Sequence, residues 1–348
     1  MAEELKFYRG RRVFVTGHTG FKGVWLCRTL ALAGASVCGY SLPPETEPSL
    51  FALLGGEHTR GGFGDVRDFS ALEAAMRAFA PEVVFHLAAQ PLVGRGYREP
   101  RFTYETNVMG TVNVLEAARA CPSVRSVLVV TTDKVYREEN LPCAEEMPLD
   151  GADPYSNSKS CAELVCGCYR RTYFAASGVA VSSARAGNAV GGGDFTEGRL
   201  VPDFFRAAQA NVPLLSRSPS SVRPYQFVLE PLSAYLRIAA AQAENAELAG
   251  AYNAGPLRAS RNEEVLRLLC KEWGSGSYEA AGAPSLREAG ILQLDSAKIA
   301  SVLGWKPRTD LCDAVRLTCE WERARLDGED MAAFTDGQIR RFFGIPEA

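Results

Sequence analysis

The sequence is poor in the residues from which metal centres and disulfide frameworks are built. Histidine occurs three times, at positions 18, 58 and 86, far apart along the chain. The ten cysteines include no CxxC pair, and the densest group, Cys161, Cys166 and Cys168, falls on one predicted helix with no histidine beside it. This pattern argues against a metal site and for buried free thiols. Long apolar runs are also lacking. No stretch reaches the length of a membrane span, and residues 1–10 are polar and charged, unlike a secretory signal. A strong charge of either sign is lacking too. The net charge of −3 supplies no field to draw the chain to nucleic acid or an anionic membrane. The expectation is a cytoplasmic globular protein with no nucleic acid and no membrane among its partners. Lysine is scarce, with seven residues against 31 arginines. Lysine changes its pKa readily on burial, so lysines that recur in motifs are candidates for chemistry. Lys22, Lys134 and Lys159 do recur in this way.

What is present starts with Val13-Phe14-Val15-Thr16-Gly17-His18-Thr19-Gly20-Phe21-Lys22-Gly23. A β-branched and aromatic run stops at Gly17, two more glycines follow at spacings of three, and an apolar helical pattern begins at Val24. A strand, a tight turn and a helix N-terminus together make an anion site. Free backbone N–H groups and the positive end of the helix dipole point outward there. Glycine is needed where φ is positive and where the backbone must approach a pyrophosphate. The chain is therefore predicted to open with a dinucleotide-binding turn.

Strand patterns at 12–16, 36–40, 83–87, 126–131 and 179–183 alternate with helical patterns at 24–33, 69–79, 102–120 and 155–176. Pro81 and Pro122 fall between helix and strand, as breakers should. This order implies βαβ units and a parallel sheet. After about residue 187 glycine and proline interrupt the pattern. A helix is predicted at 231–243, a strand at 251–254, and the remainder is largely helical. The expected fold class is α/β: a Rossmann-type doubly wound parallel sheet with a smaller, mainly helical C-terminal lobe over its carboxyl edge. Residues 1–187 and about 225–255 are assigned to the dinucleotide-binding domain, and 188–224 and 256–348 to the lobe.

Three further segments carry candidate chemistry. Asp65-Val66 stands where a third strand would end, and a carboxylate there can accept a hydrogen bond from an adenine amino group. The strand at 83–87 runs into Ala88-Ala89-Gln90, whose small residues leave room for a ligand or for close helix packing. The strand at 126–131 ends in Thr131-Thr132-Asp133-Lys134, followed downstream by Tyr155-Ser156-Asn157-Ser158-Lys159. On a helix, tyrosine and lysine at i and i+4 share a face. A nearby ammonium stabilises a phenolate, which makes tyrosine a usable base near neutral pH.

With these pieces in order, the chain resembles an extended short-chain dehydrogenase/reductase of the nucleotide-sugar-modifying kind, and within that group the CDP-glucose 4,6-dehydratases. The resemblance rests on TGHTGFKG at 16–23, PETEPSLF at 44–51, HLAAQPLV at 86–93, ETNVMGTVNVLEA at 105–117, TTDK at 131–134, DPYSNSK at 153–159, ARAGNAVGGGDF at 184–195, RLVPD at 199–203, RPYQFVLEPL at 223–232 and LGWKP at 303–307. It spans nearly the whole chain. Many 4,6-dehydratases carry glutamate where Lys134 stands. Two departures concern the substrate: the loop at 137–150 is short, and Tyr225 and Phe227 replace a usual Trp and His.

The resemblance implies a catalytic set of Thr132, Asp133, Lys134, Tyr155 and Lys159. It implies a cofactor site of Gly17, Thr19, Gly20, Phe21, Lys22, Gly23, Asp65, Val66, Leu87, Ala88, Ala89 and Thr106, together with Tyr155 and Lys159. Substrate contacts fall to Gln90, Asn188, Arg199, Leu200, Arg223 and Tyr225. The implied cofactor is NAD. The residues after Tyr40, where a ribose-gripping acid or a phosphate-binding arginine would stand, are neither, so sequence alone admits NAD or NADP. The implied partner is a nucleotide sugar, and the implied assembly is a homodimer through the helices at 102–120 and 155–176. In the implied cycle Tyr155 takes the proton of the 4-hydroxyl, Thr132 hydrogen-bonds the 4-oxygen, and Asp133 protonates the hydroxyl leaving carbon 6. Lys159 holds the nicotinamide ribose. Lys134 stands at the carbon-5 base position, either as a neutral amine or as a cation that stabilises the enolate. A nucleotide-sugar 4-epimerase and a non-catalytic dinucleotide sensor are the rival readings.

Overall fold

The computed structural model describes residues 3–56, 59–139, 141–281 and 290–346; His58 lies outside them. Seven strands form one sheet: β1 (Arg12–Thr16), β2 (Ser36–Ser41), β3 (Arg60–Phe63), β4 (Val83–His86), β5 (Ser126–Val130), β6 (Ala180–Ala186) and β7 (Ala251–Ala254). Their spatial order is β7-β6-β5-β4-β1-β2-β3, and every neighbouring pair is parallel. The chain runs outward from β1 to β3, crosses back, and runs outward again from β4 to β7. The loops after β1 and β4 therefore diverge and open a crevice at the carboxyl edge.

The central strands β1, β4 and β5 read as nearly unbroken apolar runs because both faces of a parallel sheet are covered. Side chains alternate between two core layers. Val13, Val15, Phe85 and Leu128 pack on one face with Trp25, Leu232 and Tyr235 from the helices Phe21–Leu32 and Leu229–Glu244. Phe14, Val84, Val127 and Val129 pack on the other with Met76, Val114 and Cys166, from the helices Phe69–Phe79, Gly110–Arg119 and Pro154–Tyr169.

Some boundaries differ from those expected, each for a physical reason. The strand expected at 179–183 continues to Ala186, because the serines and Arg185 that interrupt its apolar pattern are satisfied inside the fold. Ser182 donates to Gln242, and Ser183 and Arg185 donate to Glu163. The helix expected at 102–120 is Pro100–Tyr104 and Gly110–Arg119 joined by a π-helical turn at Glu105–Met109. The helix at 155–176 starts at Pro154 and loosens into a π-helical turn at Arg170–Phe174. Among the described residues, all ten cysteines are free, no group of side chains could hold a metal ion, and no helix is long and apolar enough to cross a membrane.

Beyond β6 the chain builds short strand pairs and the helices Leu200–Gln209, Asn262–Trp273, Leu311–Leu326 and Met331–Phe343. These are keyed to the sheet by the Gly191-Gly192-Gly193 turn. A Cβ on Gly192 would lie 2.0 Å from the Trp321 ring. The Gly192 carbonyl accepts the Trp25 indole N–H at 3.0 Å. The turn is thus pressed between the helix Leu311–Leu326, which carries Trp321, and the helix Phe21–Leu32 that follows the first glycine motif.

Candidate active site

The glycine turn shows which of its glycines packing requires. Gly17 has φ +76° and donates its N–H to the Tyr40 carbonyl at 3.0 Å. A Cβ there would lie 2.6 Å from the Ala88 nitrogen. Gly23 is closed just as firmly, since its Cβ would lie 2.0 Å from the Gly17 oxygen. Gly20 is different. It caps the helix Phe21–Leu32 with no side-chain hydrogen bond, and a Cβ there would meet only the Gly17 oxygen, at an ordinary 3.5 Å. Its lack of a side chain leaves a helix N-terminus uncovered, a ready site for phosphate oxygens. Thr19 ties the turn to the end of β2, its Oγ1 lying 2.9 Å from Ser41 Oγ and donating to the Leu42 carbonyl. His18 is buried against Ser41 Oγ at 2.9 Å and the edge of Phe51, and burial lowers its pKa to about 4.

A cleft of about 570 Å³ crosses the carboxyl edge of the sheet at the switch point. Every residue proposed from sequence lines it: Gly17, Thr19 to Gly23, Asp65, Val66, Leu87 to Gln90, Thr106, Thr132 to Lys134, Tyr155, Lys159, Asn188, Arg199, Leu200, Arg223 and Tyr225. The three lysines set apart by their scarcity therefore converge. Burial lowers Lys22 and Lys159 each to about 8. Thr106 lies in the π-helical turn, and its Oγ1 is buried without a hydrogen-bond partner among the described residues. Such turns frequently mark functional positions. An open helix N-terminus and an orphaned hydroxyl lining one cleft fit a dinucleotide.

The catalytic candidates sit where two elements meet. Asp153 caps the helix Pro154–Tyr169, accepting the N–H groups of Tyr155 and Ser156 at 2.9 and 3.1 Å. Proline at the first helical position is preorganised for this start. Tyr155 and Lys159 then project from one face, and Lys159 Nζ donates to the Val130 carbonyl at 3.1 Å. Beside them Thr132 Oγ1 donates to Asp133 Oδ1 at 2.8 Å, while Asp133 Oδ2 is buried with no partner among the described residues. Burial raises the Asp133 pKa, and Lys134, the Thr132 hydroxyl, Arg223 and Lys22 oppose that rise. Burial also pushes Tyr155 up to about 12. The Thr132 hydroxyl and the Arg199 guanidinium pull it back.

Three side chains are used differently from the sequence reading. The Asp65 carboxylate is occupied by Arg67, with Nη2 at 2.6 Å and the backbone N–H at 2.9 Å, which hold its pKa down. The Gln90 amide spends both ends inside the fold, donating to Thr103 Oγ1 at 2.9 Å and accepting from the Leu92 N–H at 2.6 Å. Thr131 turns its hydroxyl away from the cleft, to Glu163.

A family model for GDP-mannose 4,6 dehydratase matches residues 14–318. This chain belongs to that family, within the extended short-chain dehydrogenases/reductases. One relative, the CDP-glucose 4,6-dehydratase of Salmonella typhimurium, is 42% identical over 348 residues, covering 97% of each protein. A solved dTDP-glucose 4,6-dehydratase of Streptomyces venezuelae with NAD bound is 26% identical at a TM-score of 0.78, covering 91% of this chain and 98% of that one. The Thermus thermophilus UDP-glucose 4-epimerase in complex with NAD is 27% identical at a TM-score of 0.76, covering 89% and 98%.

Sequence reasoning missed several members of this dehydratase-family site. Asp194, its side chain 7% exposed, pairs with Arg199 at 2.9 Å and so aims the guanidinium. Asn262 accepts the Tyr225 hydroxyl at 2.9 Å. Phe102 lines the cleft between the guanidinium groups of Arg67 and Arg95, at 4.8 and 4.5 Å from its ring centre. The GGGD string pointed at Asp194, but nothing in it names a partner.

Proposed function

We propose that this chain is a nucleotide-sugar 4,6-dehydratase that uses NAD and converts CDP-glucose to its 4-keto-6-deoxy derivative. The observation that carries this reading is Asp133. A buried carboxyl with one oxygen held by Thr132 and the other without a partner among the described residues lines the cleft with Tyr155. A 4-epimerase needs a base for the 4-hydroxyl but has no leaving hydroxyl to protonate. A dehydratase needs both, and burial that raises a carboxyl pKa makes a proton donor. The extent of the likeness to the Salmonella enzyme supports the same choice.

The Gly17–Gly23 turn holds the pyrophosphate, with Asp65, Val66, Leu87 to Ala89 and Thr106 along the rest of the dinucleotide. NAD, when bound, would supply the hydride acceptor for sugar carbon 4 and the hydride donor for carbon 6. Tyr155 removes the 4-hydroxyl proton while Thr132 hydrogen-bonds the 4-oxygen. Arg199 and Lys159 supply the positive field that favours the phenolate. Asp133 gives its proton to the hydroxyl leaving carbon 6. Lys134 serves carbon 5, as acceptor of its proton or as the cation that stabilises the enolate. Asn188, Arg199, Leu200, Arg223 and Tyr225 hold the nucleotide sugar, with Gln90 shaping the wall behind them. Residues 188–224 and 256–348 act as the substrate lobe, and 1–187 with about 225–255 as the dinucleotide domain.

A homodimer forms through the helices at 100–119 and 154–174. Exposed Met109, Leu164 and Tyr173 on those segments support this pairing. Ten free thiols fit the reducing cytoplasm. The test is incubation with CDP-, UDP- and dTDP-glucose in deuterated water, followed by mass spectrometry. The expected product comes from CDP-glucose, lacks one water and carries deuterium at carbon 5. Product of unchanged mass and no deuterium at carbon 5 overturns the reading in favour of an epimerase.

A further inference from the structure

The buried ion pair Glu163–Arg185 has no part in the chemistry above. Its side chains are 2% and 4% exposed. Burying two charges is a poor way to stabilise a fold, because desolvation offsets most of the attraction and apolar residues of like volume do as well. Its placement suggests another use. Glu163 lies on the helix that bears Tyr155 and Lys159, one turn beyond Lys159 and on the same face. One carboxylate oxygen accepts from Thr131 Oγ1 at 2.5 Å, at the end of β5 beside Thr132. The other accepts from Ser183 Oγ at 2.7 Å and Arg185 Nη2 at 2.8 Å, both on β6. Arg185 carries the network onward to the Tyr136 hydroxyl at 2.7 Å, and Tyr136 donates to Asn253 on β7 at 2.7 Å. One carboxylate thus joins the catalytic helix to both strands beside it.

We propose that Glu163 is a positioning residue for the reaction: through Thr131, Ser183 and Arg185 it fixes the height of the Tyr155–Lys159 face against the Thr132–Asp133 pair. The proposal rests on the roles given above to Tyr155 and Asp133. Glu163 also acts electrostatically. The groups that face Lys159 are Glu163 from its own helix, Lys22 from the helix after the glycine turn, the Val130 carbonyl from β5, and His86 from β4, held neutral by burial. Of these side chains, Glu163 is the negative one, and it favours the ammonium. Lys159, lowered to about 8 by burial, is charged below that pH and loses its proton above it. Removing the Glu163 charge lowers that pKa further.

The test uses Glu163→Gln, Glu163→Asp and Thr131→Val in the full-length enzyme. Glu163→Gln keeps the volume: the Thr131 hydroxyl can turn to accept from the amide NH2 while the amide oxygen keeps the Ser183 and Arg185 donors. The expected result is a kcat about 10- to 10²-fold lower, the range a misplacement near 1 Å produces, with KM for the sugar nucleotide nearly unchanged. The alkaline limb of kcat should move to lower pH. Glu163→Asp keeps the charge but shortens the reach, so the limb should return to its wild-type place while kcat stays low. Thr131→Val cuts the link to the strand end and leaves the ion pair, so it decides the matter if Glu163→Gln does not fold. It should lower kcat with the limb unmoved. Wild-type kcat in Thr131→Val, or a Glu163→Gln enzyme that loses only melting temperature, overturns the proposal. Product mass is scored in the same assay. A wrong dehydratase reading shows as unchanged mass with wild-type enzyme, and a wrong positioning role shows as wild-type rates in the variants.

Discussion

Replacing Gly20 with alanine separates the glycine that a ligand needs from those that the fold needs. The Gly20 backbone, at φ −78° and ψ 166°, is open to alanine, and the new methyl would meet only the Gly17 oxygen at 3.5 Å. Two effects on folding oppose each other. A less flexible unfolded chain stabilises by about 0.4–1 kcal/mol, and alanine is the poorer helix cap by a comparable amount. The melting temperature should therefore hold within about 4 °C. The methyl does project over the open helix N-terminus. Losing one hydrogen bond to a charged acceptor there costs about 1.5–3 kcal/mol, which is about 10- to 150-fold in the Kd for NAD. Calorimetric titration of NAD beside a thermal melt reads both quantities. Gly23→Ala is the contrasting control. Its methyl would lie 2.0 Å from the Gly17 oxygen, so binding and melting temperature should fall together. A Gly20→Ala protein that melts normally and binds NAD within about threefold of wild type would refute the assignment of this turn to the pyrophosphate.

Tyr155→Phe should lower turnover about 10²–10⁴-fold with NAD affinity nearly intact, because only the proton-accepting oxygen is removed; steady-state rates beside a binding titration check it. Asp133→Asn should halt the reaction between its two halves, so a single-turnover trace at the nicotinamide absorbance band should rise and stay up. A flat trace with normal substrate binding means that Asp133 acts earlier than carbon 6. Lys134→Met keeps most of the side-chain volume while removing charge and basicity. It should nearly stop exchange of the carbon-5 hydrogen with solvent deuterium while hydride removal from carbon 4 remains measurable, and unaffected exchange would end the role given to Lys134.

Local patterning determined much of this protein by itself. Strands β1, β4 and β5 were legible because residues buried on both faces leave an unbroken apolar run. The pairing of Tyr155 with Lys159 was legible because helical periodicity alone puts i and i+4 on one face. The glycine turn was legible because positive φ and close approach leave few alternatives to glycine. Only the tertiary structure decided how the side chains are spent, since that depends on rotamers and on partners, some adjacent in the chain and some distant, that no periodic pattern names. Asp65 reads as a free carboxylate until Arg67 folds back onto it, and Gln90 as a ligand group until Thr103 and the Leu92 N–H consume its amide. Thr106 reaches the cleft through a π-helical turn, a change in backbone winding that no apolar spacing announces. Arg199 acts on Tyr155 because Asp194 holds it and the triglycine turn sits on Trp321. Nothing in the sequence sets Glu163 apart from the other polar residues of the helix predicted at 155–176. The sheet packed against it turned it into a buried carboxylate with three donors, because a charge can stay inside a fold only where partners from other elements meet it.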